Sequence, residues 1–119
     1  MEKLAQVLIG LNLLIHAYIV ILEMVLWKQR APKVFGITPA FAQESASLAS
    51  NQGLYNGFLV AALALGLFLP DPHLARAFTI YGLACIAVAG IWGALTANRR
   101  ILFVQTIPAG LALGALFAS

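Results

Sequence analysis

Charged residues are scarce in this chain, at 9% of 119 positions, whereas 62% of positions are hydrophobic. A soluble domain carries about 25% charged residues, which keep its surface hydrated. The mean hydropathy is correspondingly high, at +0.95. The composition therefore argues against a soluble helical domain and predicts an integral membrane protein whose main partner is the lipid bilayer.

Cysteine and histidine are also scarce, with one and two residues respectively. Cys85 is the only cysteine, so no disulfide can form within the chain, and its apolar surroundings favour a packing role over a reactive thiol. The two histidines, His16 and His73, are predicted to lie on opposite sides of the fold, so we expect no metal site. The net charge is only +3, and it is explained by membrane orientation. We therefore expect no binding to nucleic acid.

The N-terminal segment lacks the small-x-small cleavage site of a signal peptide. Its apolar run, residues 4–27, is also longer than the hydrophobic part of such peptides. We therefore expect this segment to be retained as a spanning helix.

Four apolar stretches are each long enough to cross a bilayer, which needs at least about 17 residues. They cover residues 4–27, 53–69, 74–97 and 101–117. Because residues 70–73 and 98–100 form very short connections, the last three helices should be antiparallel neighbours. The sequence thus predicts an all-α fold, an integral membrane four-helix antiparallel bundle that forms one domain over residues 1–119.

The first connection, residues 28–50, is long and polar. Thr38 followed by Pro39 is typical of a helix N-cap and first turn, and good helix formers continue from there into the second span. We therefore expect helix two to begin near Pro39 and to extend beyond the bilayer on the cytoplasmic side. Residues 28–37 are expected to form a loop.

Basic residues predict the orientation, because cytoplasmic loops are enriched in Lys and Arg. The first and third loops hold Lys28, Arg30, Lys33, Arg99 and Arg100. We therefore place both loops in the cytoplasm and both termini outside, in a multi-pass protein of the cell inner membrane.

A polar stripe runs along the first predicted span. At 100° per residue, Asn12, His16, Glu23 and Trp27 fall within roughly 60° of one another. A charged group in hydrocarbon costs about 2.5–3.5 kcal/mol, so Glu23 needs a partner or a function. The partners that we consider are His16, Asn56, and arginine from the third loop, Arg99 or Arg100.

Polar side chains gather in the cytoplasmic half of all four predicted spans, whereas the outer half is apolar. This asymmetry predicts a polar pocket open to the cytoplasm that binds a small-molecule ligand. We expect the ligand-binding residues to be His16, Glu23, Gln52, Tyr55, Asn56, Trp92 and Gln105. The sequence identifies neither catalytic residues nor a cofactor. Amide side chains in spans also serve as interhelical hydrogen-bond donors, so a purely structural role stays open.

Glycine pairs at four-residue spacing allow close helix approach. Gly53-x-x-x-Gly57 and Gly110-x-x-x-Gly114 have this spacing, and Gly90 with Gly93 gives a comparable smooth patch. They predict either tight packing within the chain or the seam of a homo-oligomer.

Three motifs together resemble a family of small bacterial membrane proteins, domain-of-unknown-function family thirteen-oh-four. They are His16-x-Tyr18-x-x-x-x-Glu23-Met24-x-x-Trp27, Asn51-Gln52-Gly53-x-Tyr55-Asn56-Gly57 and Gln105-x-x-Pro108-Ala109. The resemblance covers essentially the whole chain, and the second motif is its most specific part. It implies a four-helix inner-membrane protein without an assigned function.

The chain is also distantly similar to the membrane-associated glutathione and eicosanoid enzymes, which are four-helix proteins and typically trimers. The resemblance implies a glutathione site near the start of helix two, where Glu44, Asn51, Tyr55 and Asn56 stand. The arginines that lead into helix two in that family are absent here. The likeness therefore concerns architecture more than activity.

Three functions follow from these features. The first is binding or transport of a small polar or amphipathic ligand, with Glu23 and His16 as proton-sensitive groups. The second is a structural or accessory membrane subunit, in which the polar residues fix helix register. The third is a glutathione-type transferase, in which Tyr55 stabilises a thiolate and Glu23 or Glu44 acts as base. The sequence does not decide whether the protein is an enzyme.

Overall fold

The structure, a computed structural model, describes residues 2–119, and Met1 of the predicted domain lies outside the described residues. The fold is all-α, as predicted. The described residues form five α-helices and one π-helical segment, which is one α-helix more than the four that were predicted. In chain order these are α1 (Lys3–Met24), α2 (Trp27–Phe35), α3 (Pro39–Phe68), α4 (Pro72–Thr96), the π segment (Leu102–Thr106) and α5 (Ile107–Ala118).

Helix α2 replaces most of the loop that was predicted at residues 28–37. It ends at Gly36, whose φ of 69° is left-handed and whose N–H donates to the Pro32 carbonyl at 3.1 Å. Such a glycine cap ends helices at little steric cost. Pro32 and the density of charge concealed this helix, because a proline inside a helix has no amide hydrogen to donate and is unfavourable there.

Helix α1 ends at Met24, three residues before the predicted end of the first span. The amides of Val25 and Leu26 both donate to the Ile21 carbonyl, at 2.9 and 3.0 Å, and close the helix. Trp27 therefore belongs to α2, and the prediction that it completes the polar stripe of α1 was wrong.

Helix α3 begins at Pro39, as predicted. The Thr38 hydroxyl accepts a hydrogen bond from the Phe41 amide at 3.1 Å, the bond expected of an N-cap. The helix then continues without a break to Phe68. The second predicted span, residues 53–69, is thus the C-terminal part of a longer helix.

Helix α4 begins at Pro72, two residues before the predicted start of the third span. The Asp71 carboxylate accepts from the amides of His73 and Leu74, at 2.9 and 3.3 Å. An acidic N-cap followed by proline is a favourable helix start.

The fourth predicted span, residues 101–117, is divided between the π segment and α5. The Ile107 amide donates to the Leu102 carbonyl, a bond that reaches one residue further than in an α-helix. Pro108 follows directly and has no amide hydrogen to donate, which favours a change of helical register just before it.

Contacts divide the chain into two units, to both of which α1 and α3 contribute. We call residues up to Ile15 together with Leu59–Ser119 the core unit, and His16–Phe58 the polar unit. The buried cluster of the core unit draws on α1, α3, α4 and α5. Its members are Ile9, Leu63, Leu83, Ile86, Ala109 and Ala112.

Among residues 2–119, two helices, α1 and α4, are long and apolar enough to cross a membrane, judged by length and composition. The apolar stretch Leu102–Ala118 is shorter. These findings give weak support for a membrane protein.

Candidate functional site

A carboxylate and an amide meet in the polar unit. Asn56 of α3 donates through Nδ2 to Oε1 of Glu23 on α1, at 2.8 Å. The same Nδ2 also donates to the Gln52 carbonyl, one turn earlier on α3, at 3.2 Å. Both side chains are half-buried. Asn56 was one of the partners predicted for Glu23, and its two donated bonds fix its amide toward the carboxylate.

Gly53 allows α1 and α3 to approach at this level. A Cβ built on Gly53 would lie 2.5 Å from Met24 Cγ and 3.1 Å from Glu23 Cβ. Because the distance to Met24 is too short for a methyl group and the distance to Glu23 is tight, glycine lets the backbone of α3 lie against the end of α1. The predicted close approach is therefore confirmed at Gly53. A Cβ on Gly57 would meet no atom within 4 Å, so the second glycine of the pair does not share this contact.

The other polar-unit residues of the predicted site differ in burial. His16 is fully buried on α1, whereas Gln52 is exposed on α3. Tyr55 is 60% exposed, and its ring packs edge-on against Phe58 with centroids 5.9 Å apart. Because consecutive residues leave a helix about 100° apart, the Tyr55 side chain leaves α3 about 100° around the helix from that of Asn56.

Trp92 and Gln105 lie in the core unit. Trp92 is 69% exposed on α4. Gln105 is half-buried in the π segment, and a Cβ built on Gly90 would lie 3.0 Å from its Cβ. In the same region the Thr106 hydroxyl donates to the Ala87 carbonyl at 3.0 Å. The predicted smooth patch at Gly90 is thus a packing surface for the π segment.

Asn12 has a structural contact within the core unit. Its Nδ2 donates to the Pro108 carbonyl of α5 at 3.0 Å and to the Leu8 carbonyl at 2.8 Å. The side chain is fully buried. This bond joins α1 to α5 and matches the interhelical role that amides commonly have in apolar bundles.

Sequence reasoning missed a second polar contact in the polar unit. Trp27 of α2 donates through its indole N–H to the Ser45 hydroxyl of α3 at 3.0 Å, and that hydroxyl donates to the Phe41 carbonyl at 2.6 Å. The helical pattern of residues 27–35 with Gly36 at its end could have revealed α2, and with it the position of Trp27.

The chemistry available at the Glu23–Asn56 contact is recognition of hydrogen-bond donors. A carboxylate accepts at two oxygens, and Asn56 uses only Oε1. Residues 2–119 contain no group of three or more His, Cys, Asp or Glu side chains placed to hold a metal ion.

The fold and this contact define an all-α protein with two helices that could span a membrane and a half-buried carboxylate–amide pair. Residues 10–117 match the family described as "Protein of unknown function (DUF1304)", and the chain belongs to this family. It is also similar to the uncharacterized protein YpaA of Lactococcus lactis subsp. lactis (strain IL1403), with 35% identity over 75 residues. That match covers 61% of this chain and 57% of the relative. No solved structure matches the chain.

Proposed function

We propose that the protein is a multi-pass inner-membrane protein with four spans and a cytoplasm-facing polar site. The apolar character of α1 and α4 supports this proposal, as does a core drawn from four helices. The basic residues of the first and third connections would face the cytoplasm, and both termini would lie outside.

The proposed site is centred on Glu23 and binds a small polar or amphipathic ligand. The observation that carries the proposal is the bond from Asn56 Nδ2 to Oε1, at 2.8 Å. It orients the carboxylate while engaging one of its two oxygens, and a carboxylate in an apolar segment is costly unless it is paired or used. We assign the ligand contact to the second oxygen, Oε2.

The chemistry of this oxygen favours a ligand with a cationic or strongly donating group, such as an amine on an apolar body. A hydrogen bond to a charged acceptor is stronger than one between neutral groups. Gln52 is exposed one turn before Asn56 and offers a second polar contact. We keep as a prediction that the ligand is also contacted by His16, Tyr55, Trp92 and Gln105.

Thermal unfolding of the purified full chain in mild neutral detergent tests this proposal. The probes are n-butylammonium and guanidinium, with 1-butanol and acetate as uncharged and anionic controls. Ligands that bind only the folded state raise the unfolding temperature. We expect both cations to raise it by a few degrees in the parent chain and neither to do so in Glu23→Gln.

Glu23→Gln is the appropriate variant because its amide oxygen can still accept from Asn56 while the charge is removed. Two outcomes would contradict the proposal. In the first, the cations raise the unfolding temperature of the parent and of Glu23→Gln equally. In the second, they raise the unfolding temperature of neither protein. The second outcome would favour a structural or accessory subunit, in which the pair only fixes the register of α1 against α3.

We also propose that the protein forms a homo-oligomer. A Cβ built on Gly110 or Gly114 of α5 meets no atom of the described chain within 4 Å, so this pair is not used in packing within residues 2–119. Glycines at this spacing are common where two membrane helices meet. Phe117 lies near the same face and is 61% exposed.

A further inference from the structure

Helix α2 has two distinct faces. Placed at 100° per residue, its apolar side chains lie within an arc of about 100°. The opposite side holds polar and basic residues, and one cation stands at each edge of the apolar arc. The apolar arc consists of Trp27, Ala31, Val34 and Phe35, the edge residues are Lys28 and Arg30, and Lys33 lies opposite with Gln29.

The apolar face of α2 is only partly covered. Ala31 is buried and Trp27 is half-buried, whereas Val34 and Phe35 are exposed. The rings of Trp27 and Phe35 contact each other with centroids 5.6 Å apart. A tryptophan with an apolar body and a bonded N–H is typical of the boundary between lipid headgroups and acyl chains.

The charge of α2 has one sign. Lys28, Arg30 and Lys33 are all exposed, and the nine residues of the helix include no Asp or Glu. The Arg30 guanidinium lies 5.9 Å from the ring centroid of Tyr18 on α1. These three cations are close in sequence to the end of an apolar helix, where an anionic lipid headgroup would be within reach.

Helix α2 is also held in place. The bond from the Trp27 indole to Ser45 joins its first residue to α3, and the left-handed Gly36 ends it. A short basic helix with an apolar arc, fixed beside a membrane span, has the properties of an interfacial helix.

We propose that α2 is an interfacial helix that binds the headgroups of anionic lipids through Lys28, Arg30 and Lys33. The partner is an anionic lipid surface, selected by charge complementarity with three exposed cations. The inference rests on the membrane location in the proposed function, and it is independent of the site at Glu23.

Lipid selectivity of the full chain in phosphatidylcholine vesicles tests this inference. Trace spin-labelled phosphatidylglycerol or phosphatidylcholine reports by electron paramagnetic resonance how much of each lipid is immobilised by the protein. We expect a preference for phosphatidylglycerol of about threefold at low salt, decreasing at high salt because the charges are screened. The triple variant Lys28→Gln, Arg30→Gln, Lys33→Gln should lose most of it.

The matched control removes the same charge elsewhere, in Arg76→Gln, Arg99→Gln, Arg100→Gln. A charge-retaining variant, Lys28→Arg with Lys33→Arg, should keep the parental preference. The proposal is overturned if the parent shows no preference, if the control loses as much of it as the α2 variant, or if the arginine variant loses it.

Membrane insertion is measured first, by alkaline extraction of the vesicles. A chain that resists extraction but shows no selectivity contradicts only the lipid-binding role of α2. A chain that is extracted contradicts both that role and the proposed membrane location.

Discussion

Asn56 on α3 donates a hydrogen bond of 2.8 Å to the carboxylate of Glu23 on α1. The two residues are far apart in sequence, and the close packing at Gly53 brings their helices together at this level. The contact explains how an acidic residue is accommodated at the end of an apolar helix. The bond fixes the position of Oε1. Because the carboxylate group is rigid, the direction of Oε2 is fixed by the same bond.

The Glu23–Asn56 bond should appear as an energetic coupling. In a cycle of Glu23→Ala, Asn56→Ala and the double variant, we expect a coupling free energy of about 1 kcal/mol, because each single variant removes the same bond. Reversible unfolding of the detergent-solubilised chain measures it. Strictly additive effects of the two substitutions would show that the bond contributes nothing to stability.

Gly53→Ala should destabilise the chain by about 1–3 kcal/mol, because the new methyl group would overlap Met24 and Glu23. Gly57→Ala is the control on the same helix. It meets no atom within 4 Å and gains helix propensity, so it should be neutral or slightly stabilising. Unfolding midpoints of the two variants test the difference, and equal midpoints would contradict the close packing at Gly53.

Gly90→Ala should also destabilise the chain by about 1–3 kcal/mol. A Cβ there would lie 2.8 Å from the Thr106 amide nitrogen, and the backbone of the π segment cannot move aside as a flexible side chain can. The unfolding midpoint tests this, and an unchanged midpoint would contradict the close packing at Gly90.

Gly110→Ala has free space around its new methyl group within the chain. A Gly110→Ala variant that keeps its unfolding midpoint but dissociates into monomers in detergent would support the proposed oligomer, and unchanged oligomerisation would argue against this seam.

Reporter fusions test the orientation. Alkaline phosphatase, which is active outside the cytoplasm, should be active when fused after Ser119, and a green fluorescent protein at the same position should be dark. Fusions that truncate the chain after Lys33 should give the opposite pattern, since the first connection is expected in the cytoplasm. Fluorescence at Ser119 together with phosphatase activity at Lys33 would reverse the proposed orientation.

The all-α fold and the start of α3 could be predicted because they depend on local signals. Apolar composition predicts helices in an apolar environment, and Thr38 before Pro39 is a local cap signal that the Phe41 amide confirms. Helix α2 was missed because its signals conflict. Lys28, Arg30 and Pro32 are typical of a polar loop, whereas the arc from Trp27 to Phe35 is a helical pattern of only nine residues.

Within the polar unit, the contact between Glu23 and Asn56 could be predicted, whereas the position of Trp27 could not, because it depends on where α1 ends. Glu23 and Asn56 do meet, since each lies on a regular helix and Gly53 lets α3 approach α1 beside Glu23. Trp27 does not lie on the polar stripe of α1, because α1 ends at Met24. Tyr55 is adjacent to Asn56 in sequence, but one residue turns it about 100° around α3, which places it on an exposed face.

The claim that the Glu23–Asn56 pair binds a ligand is tested most directly by nuclear magnetic resonance of the detergent-solubilised chain titrated with n-butylammonium. The Asn56 side-chain NH₂ and the Glu23 carboxyl carbon are the probes. Both resonances should shift together and saturate in the parent chain, and the Asn56 shift should vanish in Glu23→Gln. Unchanged Glu23 and Asn56 resonances at saturating cation would contradict the account.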